Sequence, residues 1–596
     1  MAAPVITTDL VDVIADMPNT TGWTLISSGG GGANSLTAPE SDYFIQGISC
    51  ISRNPFSSSI RGMLYNSSQT VPAGDAVFMW CWCGVSAAIN TEAGGGMQIC
   101  IGNLTTAFKA WYVRGSDTYQ YGGWICIPVD PTITEDVAVG APTSVTSQFG
   151  VRWDVPAAGP ARGFPFAIDA IRRGRTLTIT DGDSGGYATF VLAAAENDDQ
   201  TNRWGLFQEI DGGYLQQGLF LMGTAGLAVD FRDANRNIAI ADTKKVGANF
   251  NEFEVRNASS NLEWTNIVIA PLGTTSRGRF VNSNNATISK IGCSFTRMDT
   301  FVYGSNSTLT DTTFRQCALV TQSSATFTNC TFEESRATSA LLSNNPGLVS
   351  GCRFVSDGTG HAIEITTAGS YTFDDNEFSG YAGADGSTGN EAIYNNSGGA
   401  VTLNVSGGVG VYSVRNSAGS TTTVVQGAVT LAVTVLDANN DPIENAIVLV
   451  RAVAGPLPAN ASVSITRAST TATVTHTAHG LDTGDKVLIL GCAELEYNNV
   501  HEITVTGVDS YTYTVAGSPA TPATGTPTST FVALTGLTNA SGQISASRVY
   551  SANQPISGRV RKSTPADPPL YKARVFPGTL LSASGLVVTV PMELDE

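Results

Sequence analysis

The chain of 596 residues is short of charge, histidine and long apolar runs, and each shortage narrows what it does. Only 14% of residues are charged, with 32 Lys and Arg against 50 Asp and Glu, a formal net charge of −18. Neutralising a phosphate backbone needs clustered basic residues; the chain has no such cluster, which argues against a nucleic-acid partner. No stretch approaches the ~18 consecutive apolar residues of a membrane-spanning helix. The opening MAAPVITTDLVDVIADM has neither a basic n-region nor an apolar core, so no secretion signal is expected. Without one, the Asn-x-Ser/Thr triplets at Asn19, Asn66, Asn285 and Asn329 are expected to stay unmodified. Ten cysteines are sparse and lack the spacing of a disulfide framework or a zinc site. Cys81 and Cys83 of WCWC stand two apart on an expected strand, sharing a face without CxxC geometry, so their role is read as structural.

What is abundant is glycine, 63 residues of it, with Ser, Thr and Asn. That mixture suits strands joined by tight turns, and the length calls for several cores, so an all-β chain of several domains is expected. Residues 1–18 read as an N-terminal arm with weak helical character. Residues 19–186 carry short alternating segments such as DYFIQGISCIS, DAVFMWCWCGV and YGGWICIPVD, each bounded by turn residues, as in a jelly-roll-like β-sandwich. Five of eight tryptophans lie between Trp23 and Trp124, and Trp80 and Trp82 sit in a run apolar on both faces, as core residues do.

Residues 187–425 hold a repeat. KIGCSF, LTDTTF, FTNCTF, VSGCRF and FDDNEF end at Phe295, Phe314, Phe332, Phe354 and Phe378, at intervals of 19, 18, 22 and 24 residues. Three places before each Phe stand Gly292, Asp311, Asn329, Gly351 and Asp375, residues that tolerate left-handed backbone and make a corner. Two places before stand Cys293, Thr312, Cys330, Cys352 and Asn376, and one place before stand Ser294, Thr313, Thr331, Arg353 and Glu377. Alternation along a strand points the −2 residue and the Phe inward and the −1 residue to water. A right-handed parallel β-helix builds itself this way, each Phe lying on the Phe of the coil below, with Cys330 and Cys352 on adjacent coils.

From Gln426 the texture changes. VTLAVTVLDANNDPIENAIVLVRA and TNASGQI read as strands around Asx/Gly turns, giving a split Ig-like domain over 426–461 and 529–596. Residues 462–528 read as an inserted small β domain that ends in the Pro/Thr linker SPATPATGTPTST. The insert, HGLDTGDKVLILG…EYNNVHEITV…YTYTV, resembles a small β module common in tailed-bacteriophage virion proteins. The flanking Ig-like segments resemble domains that decorate phage particles, and a sandwich followed by a β-helix resembles phage fibres, spikes and appendages. The resemblance implies a virion structural protein, assembled in the host cytoplasm, a homotrimer, with other virion proteins of capsid or tail as partners.

The residues able to carry chemistry are the carboxylates and histidines. Glycosidic cleavage needs two carboxyls ~5–9.5 Å apart, and the candidates are Glu333, Glu334, Glu364, Asp374, Asp375 and Glu377. Adjacent Glu333 and Glu334 point apart on a strand, and Asp374–Asp375 falls at a corner, so structural use is expected of each. His476 and His479 form an HxxH on a strand and turn, which does not aim both rings at one metal, and His361 and His501 stand alone. GDSGG at 182–186 lacks a preceding histidine and reads as a hinge. No catalytic, cofactor or metal residue is assigned. The expectation is a non-enzymatic decoration, fibre or appendage. The alternatives are a tailspike that binds or depolymerises host surface polysaccharide, and a bacterial surface adhesin.

Overall fold

The computed structural model describes residues 5–14, 21–28, 37–40, 50–53, 60–67, 69–83, 96–113, 124–142, 147–154, 166–180, 183–184, 205–210, 213–240, 246–247, 249–272, 278–406, 413–550, 552–565, 567–581 and 585–595. Among these, every element longer than three residues is a β-strand, and the two 3-10 turns lie at Pro346–Leu348 and Leu495–Tyr497. No helix among them is long and apolar enough to cross a membrane. The chain divides into two compact units. The first holds 1–368, 378–399 and 411–421; the second holds 369–377, 400–410 and 422–596.

The first unit opens with two antiparallel six-stranded sheets, counted among the described residues. Val77, Met79, Cys81, Ile127, Ile168 and Ile171 pack with Met63, Met97, Ile99, Trp111, Phe149 and Val151 in one core. Trp80, Trp111 and Trp124 are buried as core residues, while Trp82, in the same apolar run as Trp80, is half-buried. Cys81 is buried, its thiol donating to the Met79 carbonyl at 3.7 Å, while the side chain of Cys83 lies outside the described residues. The described part of the N-terminal segment is not helical. Val5–Thr8 pairs antiparallel with Thr176–Thr180, and Val11–Ile14 pairs with Phe166–Gly174. The cause lies in available partners: Asp9 accepts from the backbone N of Arg175 and Thr176, so the segment's backbone is satisfied by a sheet edge. Of GDSGG, only Asp183–Ser184 is described, as a short strand parallel to Asp230–Ala234.

Beyond Thr176 the chain winds as a parallel β-helix with three walls. The register is continuous. On the first wall Phe220, Phe253, Phe280, Phe301, Val320, Leu341, Ile363, Ile393 and Val414 lie one above another. On the second, Trp264, Lys290, Leu309, Phe327 and Val349 do so. On the third, Ile269 is followed by Phe295, Phe314, Phe332 and Phe354. The rings of Phe295, Phe314, Phe332, Phe354 and Phe378 stack with centroids 5.5, 5.0, 4.7 and 5.3 Å apart. Coil spacing sets that distance, since neighbouring strands lie ~4.8 Å apart.

All five corner residues adopt left-handed backbone: Gly292, Asp311, Asn329, Gly351 and Asp375, with φ between 50° and 64°. At two of them glycine also answers a close approach. A Cβ on Gly292 would stand 2.4 Å from Asn266 Oδ1, and one on Gly351 would stand 2.3 Å from Asn329 Oδ1. The −2 residues Cys293, Thr312, Cys330, Cys352 and Asn376 are buried. The thiol of Cys293 donates to the Trp264 carbonyl of the coil below at 3.4 Å, and that of Cys330 donates to Leu309 at 3.5 Å. These sulfurs are thus weak hydrogen-bond donors between coils as well as fillers. Burial, followed by the neighbouring Cys352, holds the Cys330 thiol well above its usual value, so it stays protonated.

The second unit contains a split sandwich and a three-stranded sheet in the order Gly369–Asp374, Ala400–Ser406, Thr421–Gln426, the first two strands parallel. Val429–Leu436 pairs with Gln543–Arg548 and Leu586–Pro591 in one sheet. Ile447–Ala452 lies between Gly525–Leu537 and Gln554–Lys562 in the other. The two turns form as their residues dictate: Asp437 Oδ1 accepts from the backbone N of Asn439 and Asp441, and Asn539 Oδ1 accepts from Ser541 and Gln543. Residues 525–530, read from composition as linker, are the first half of the continuous strand Gly525–Leu537. That half pairs with Lys486–Cys492, so backbone pairing overrides the Pro/Thr composition. The guanidinium of Arg548 joins insert to parent, donating to both Asp482 and Asp485 at 2.9 Å while packing on Phe531 and Tyr550.

Candidate ligand cleft on the beta-helix

The coils near residues 336–415 stop being alike. The chain between the third and first walls lengthens into GYAGADGSTGNEA, residues 380–392. Glu391 anchors this segment, its buried carboxylate accepting from Thr388 N at 2.9 Å and Gly389 N at 3.0 Å. Asp385 Oδ1 accepts from Val414 N at 2.8 Å, which ties the same segment to the next coil. The lengthened corner borders a cleft of about 610 Å³ lined by Arg336, Ser339, His361, Glu364, Tyr394 and Arg415, among others.

Coil stacking brings these side chains together. On the outer face of the first wall Leu342, Glu364, Tyr394 and Arg415 are successive rungs of one register. Glu364 is half-buried and doubly held: Ser339 Oγ donates to Oε2 and Asn396 Nδ2 donates to Oε1, both at 2.8 Å. Arg336 donates to Asp299 Oδ1 at 2.9 Å and to the carbonyl of Gln316 at 2.6 Å. Arg415 lies over the Tyr394 ring at 4.7 Å, a cation–π contact, and its Nη1 is 3.2 Å from His361 Nε2. The His361 ring stacks on Tyr394 at 4.9 Å, and its Nδ1 is 2.8 Å from the Glu391 carbonyl.

These contacts assign the tautomer. A carbonyl only accepts and a guanidinium only donates, so His361 carries its proton on Nδ1 and accepts at Nε2. Burial holds His361 below its usual value; Arg415 pushes the same way, while the Glu391 carbonyl and carboxylate and Glu364 pull it up. Glu391 is buried, which by itself raises a carboxyl, yet the donors of Thr388 and Gly389 bring it below its usual value and keep it ionised. The arrangement offers a fixed guanidinium, a fixed carboxylate and hydroxyls around an open concave surface, suited to polar ligands with hydroxyl and anionic groups.

Of the residues singled out from sequence, His361 and Glu364 meet here; the others do not. Glu333 lies 3.9 Å from Arg315 on the adjacent coil. Glu334 sits in left-handed backbone, accepting from Gln316 Nε2, which in turn bonds Arg297. In the second unit, Asp374 accepts from Ser406 and Asp375 makes a corner. His479 Nδ1 accepts from Leu481 N at 3.0 Å and its Nε2 donates to the Gly507 carbonyl, so HGL is a locked turn. His476 is buried beside Tyr511, and His501 stacks on Tyr513 at 4.0 Å. Among the described residues no group of His, Cys, Asp and Glu could hold a metal ion. Arg336, Ser339, Tyr394 and Arg415 went unnoticed in the sequence. Stacking of the first wall puts Tyr394 and Arg415 in the column of Glu364, while Arg336 and Ser339 come from the preceding coil outside that column.

No protein-family model matches the chain, and no curated protein matches it. Among solved structures, the chain is similar to the enzymatically active domain of tailspike protein 4 of bacteriophage CBA120, at 10% identity and a TM-score of 0.19, covering 78% of this chain and 77% of that one. It is also similar to a family 11 carbohydrate-binding module from Clostridium thermocellum, solved with a β-1,3-1,4-mixed-linked tetrasaccharide. That likeness has 8% identity and a TM-score of 0.18, covering 28% of this chain and 93% of that one.

Proposed function

We propose that the chain is a projecting structural component of a tailed-phage particle, in which the β-helix is a stiff spacer. The observation that carries this is the unbroken column of rings from Phe295 to Phe378 with a left-handed residue at every corner. Each coil closes its backbone bonds with the coils above and below, so the stack resists bending and leaves no edges along its length. The net charge of −18 keeps neighbouring copies soluble and apart. Antibody raised against the purified chain and labelled with gold should decorate intact particles at one fixed location. Particles that carry no label, from a preparation whose lysate contains the chain, would sink the reading. A homotrimer belongs to the same proposal, and sedimentation equilibrium should give three times the 62.1 kDa of one chain.

A second reading, contact with host surface glycan, draws on the cleft of Glu364, Tyr394 and Arg415. In this reading the chain binds without cutting: Glu364 and Glu391 are each engaged by their own donors, and Glu391 is buried. Incubation with host capsule or lipopolysaccharide should leave chain length unchanged. Shortened oligosaccharides that vanish with Glu364→Gln would overturn it.

A further inference from the structure

Three buried or clustered features invite a role beyond the spacer: the Lys290 cage in the β-helix interior, the HxxH turn of the insert, and the cleft. The first two are closed. Lys290 Nζ is enclosed by the rings of Trp264, Phe280, Phe295 and Tyr303, and His479 spends both nitrogens on backbone. The cleft is open, and its charges are unevenly satisfied. Glu364 has Ser339 and Asn396, Glu391 has Thr388 and Gly389, and Arg336 has Asp299. Arg415 has no carboxylate partner among the described residues; it donates to a neutral imidazole and lies on a ring. In a chain with 50 acidic residues for 32 basic ones, a half-buried guanidinium left to face a cleft is a receptor for an anion supplied from outside.

We propose that this cleft is a subsite for a carboxylate-bearing sugar, with the Arg415 fork receiving the carboxylate and His361 holding that fork in position. The inference rests on the reading of the cleft as glycan-facing and adds the class of glycan. A guanidinium presents paired N–H donors that match a carboxylate in plane. Tyr394 fixes the plane of the guanidinium from one side, and His361 Nε2 takes one of its donors, leaving the rest of the fork for the ligand. Ser339 and Asn396 hold Glu364 as an acceptor for sugar hydroxyls.

His361 is a positioning residue, and its protonation state sets the geometry. The groups facing it are Arg415 and Tyr394 from the following coils, the carbonyl and carboxylate of Glu391 from the long corner, Glu364 on its own strand and Arg336 across the cleft. A proton on Nε2 would set donor against donor and cation against cation, driving the guanidinium out of place. The ligand carboxylate stays ionised to much lower pH. Affinity is therefore expected to fall as pH drops below the usual histidine range.

The test is calorimetric titration of the intact chain with three oligosaccharides of equal length: an oligogalacturonate, a sialic-acid-terminated chain and a neutral oligogalactose. Binding of either acidic probe roughly tenfold or more tighter than the neutral one is the expected result, and which acidic probe wins tells uronate from sialate. Arg415→Gln should remove that preference, Arg415→Lys should restore part of it, and all variants should keep the wild-type thermal transition. His361→Gln should abolish the loss of affinity below pH 6.5 while keeping the preference. Equal binding of acidic and neutral probes would overturn this inference and leave the glycan reading standing. Binding of none would overturn both.

Discussion

The wall that carries Phe295 to Phe378 and the corner that carries Glu391 are built from the same winding chain, yet they differ in regularity. On the wall each coil repeats corner, buried filler, outward residue and ring at intervals of 18–24 residues, and the product is a stack with every inward position filled. At the corner the interval lengthens, GYAGADGSTGNEA projects, and hydrophilic side chains from successive coils converge on a cleft. Repetition places like residues on like residues, which favours stiffness and leaves no concavity. An interruption places unlike residues side by side, which is what recognition of a ligand requires.

The contrast breaks most sharply if the column is emptied. Phe332→Ala removes a buried ring stacked on two others and should cost ~3–5 kcal/mol, read as a lowered denaturant midpoint of the β-helix transition, while an equivalent truncation in the cleft, Tyr394→Ala, should cost less. A corner is the next largest effect. Asn329 holds φ at +53°, so Asn329→Val should cost ~1–2 kcal/mol and Asn329→Gly within ~0.5 kcal/mol. If both cost the same, left-handed backbone is not what selects these residues.

Lys290 tests whether the interior tolerates an irregular member. It stands where Trp264 and Leu309 stand on adjacent coils, donates to Tyr303 OH at 3.2 Å, and burial holds it well below the usual lysine value. Between that depressed folded value and the unfolded one, the lysine is neutral when folded and protonated when unfolded, so in that window the unfolded state binds the extra proton. Stability should rise with pH by up to ~1.4 kcal/mol per unit between the depressed folded value and ~10.4. Above that, Tyr303, raised by burial, reverses the trend, because the unfolded phenol ionises first. Lys290→Met with Tyr303→Phe removes both partners, so the slope should flatten with little loss of stability at neutral pH. The smallest effect belongs to the exposed Arg315–Glu333 pair, 3.9 Å apart across two coils: Glu333→Gln should change stability by ~0–1 kcal/mol, less at high salt.

Much of the shaft was legible because its signal is one-dimensional. The Phe interval, the turn-forming residue three places before it and the polar residue between report a strand and a corner without any knowledge of distant contacts. The cleft was not legible as a whole. His361 and Glu364 were noticed singly, but Arg336, Tyr394 and Arg415 reach them only because coils stack, and the interval that would align them changes at residues 380–392. The N-terminal strands and the strand Gly525–Leu537 were misread for a related reason: their conformation is imposed by a pairing partner far along the chain, Thr176–Thr180 in one case and Lys486–Cys492 in the other.

By itself the order of residues determined that this chain is all β, that its middle winds as stacked coils, and where each corner falls, since alternation and left-handed tolerance are properties of single residues and their neighbours. Tertiary structure alone decided which charges go without a counterpart and which meet across a cleft. Burial and pairing depend on residues 20 to 80 positions apart, and a linear reading carries no distance between them.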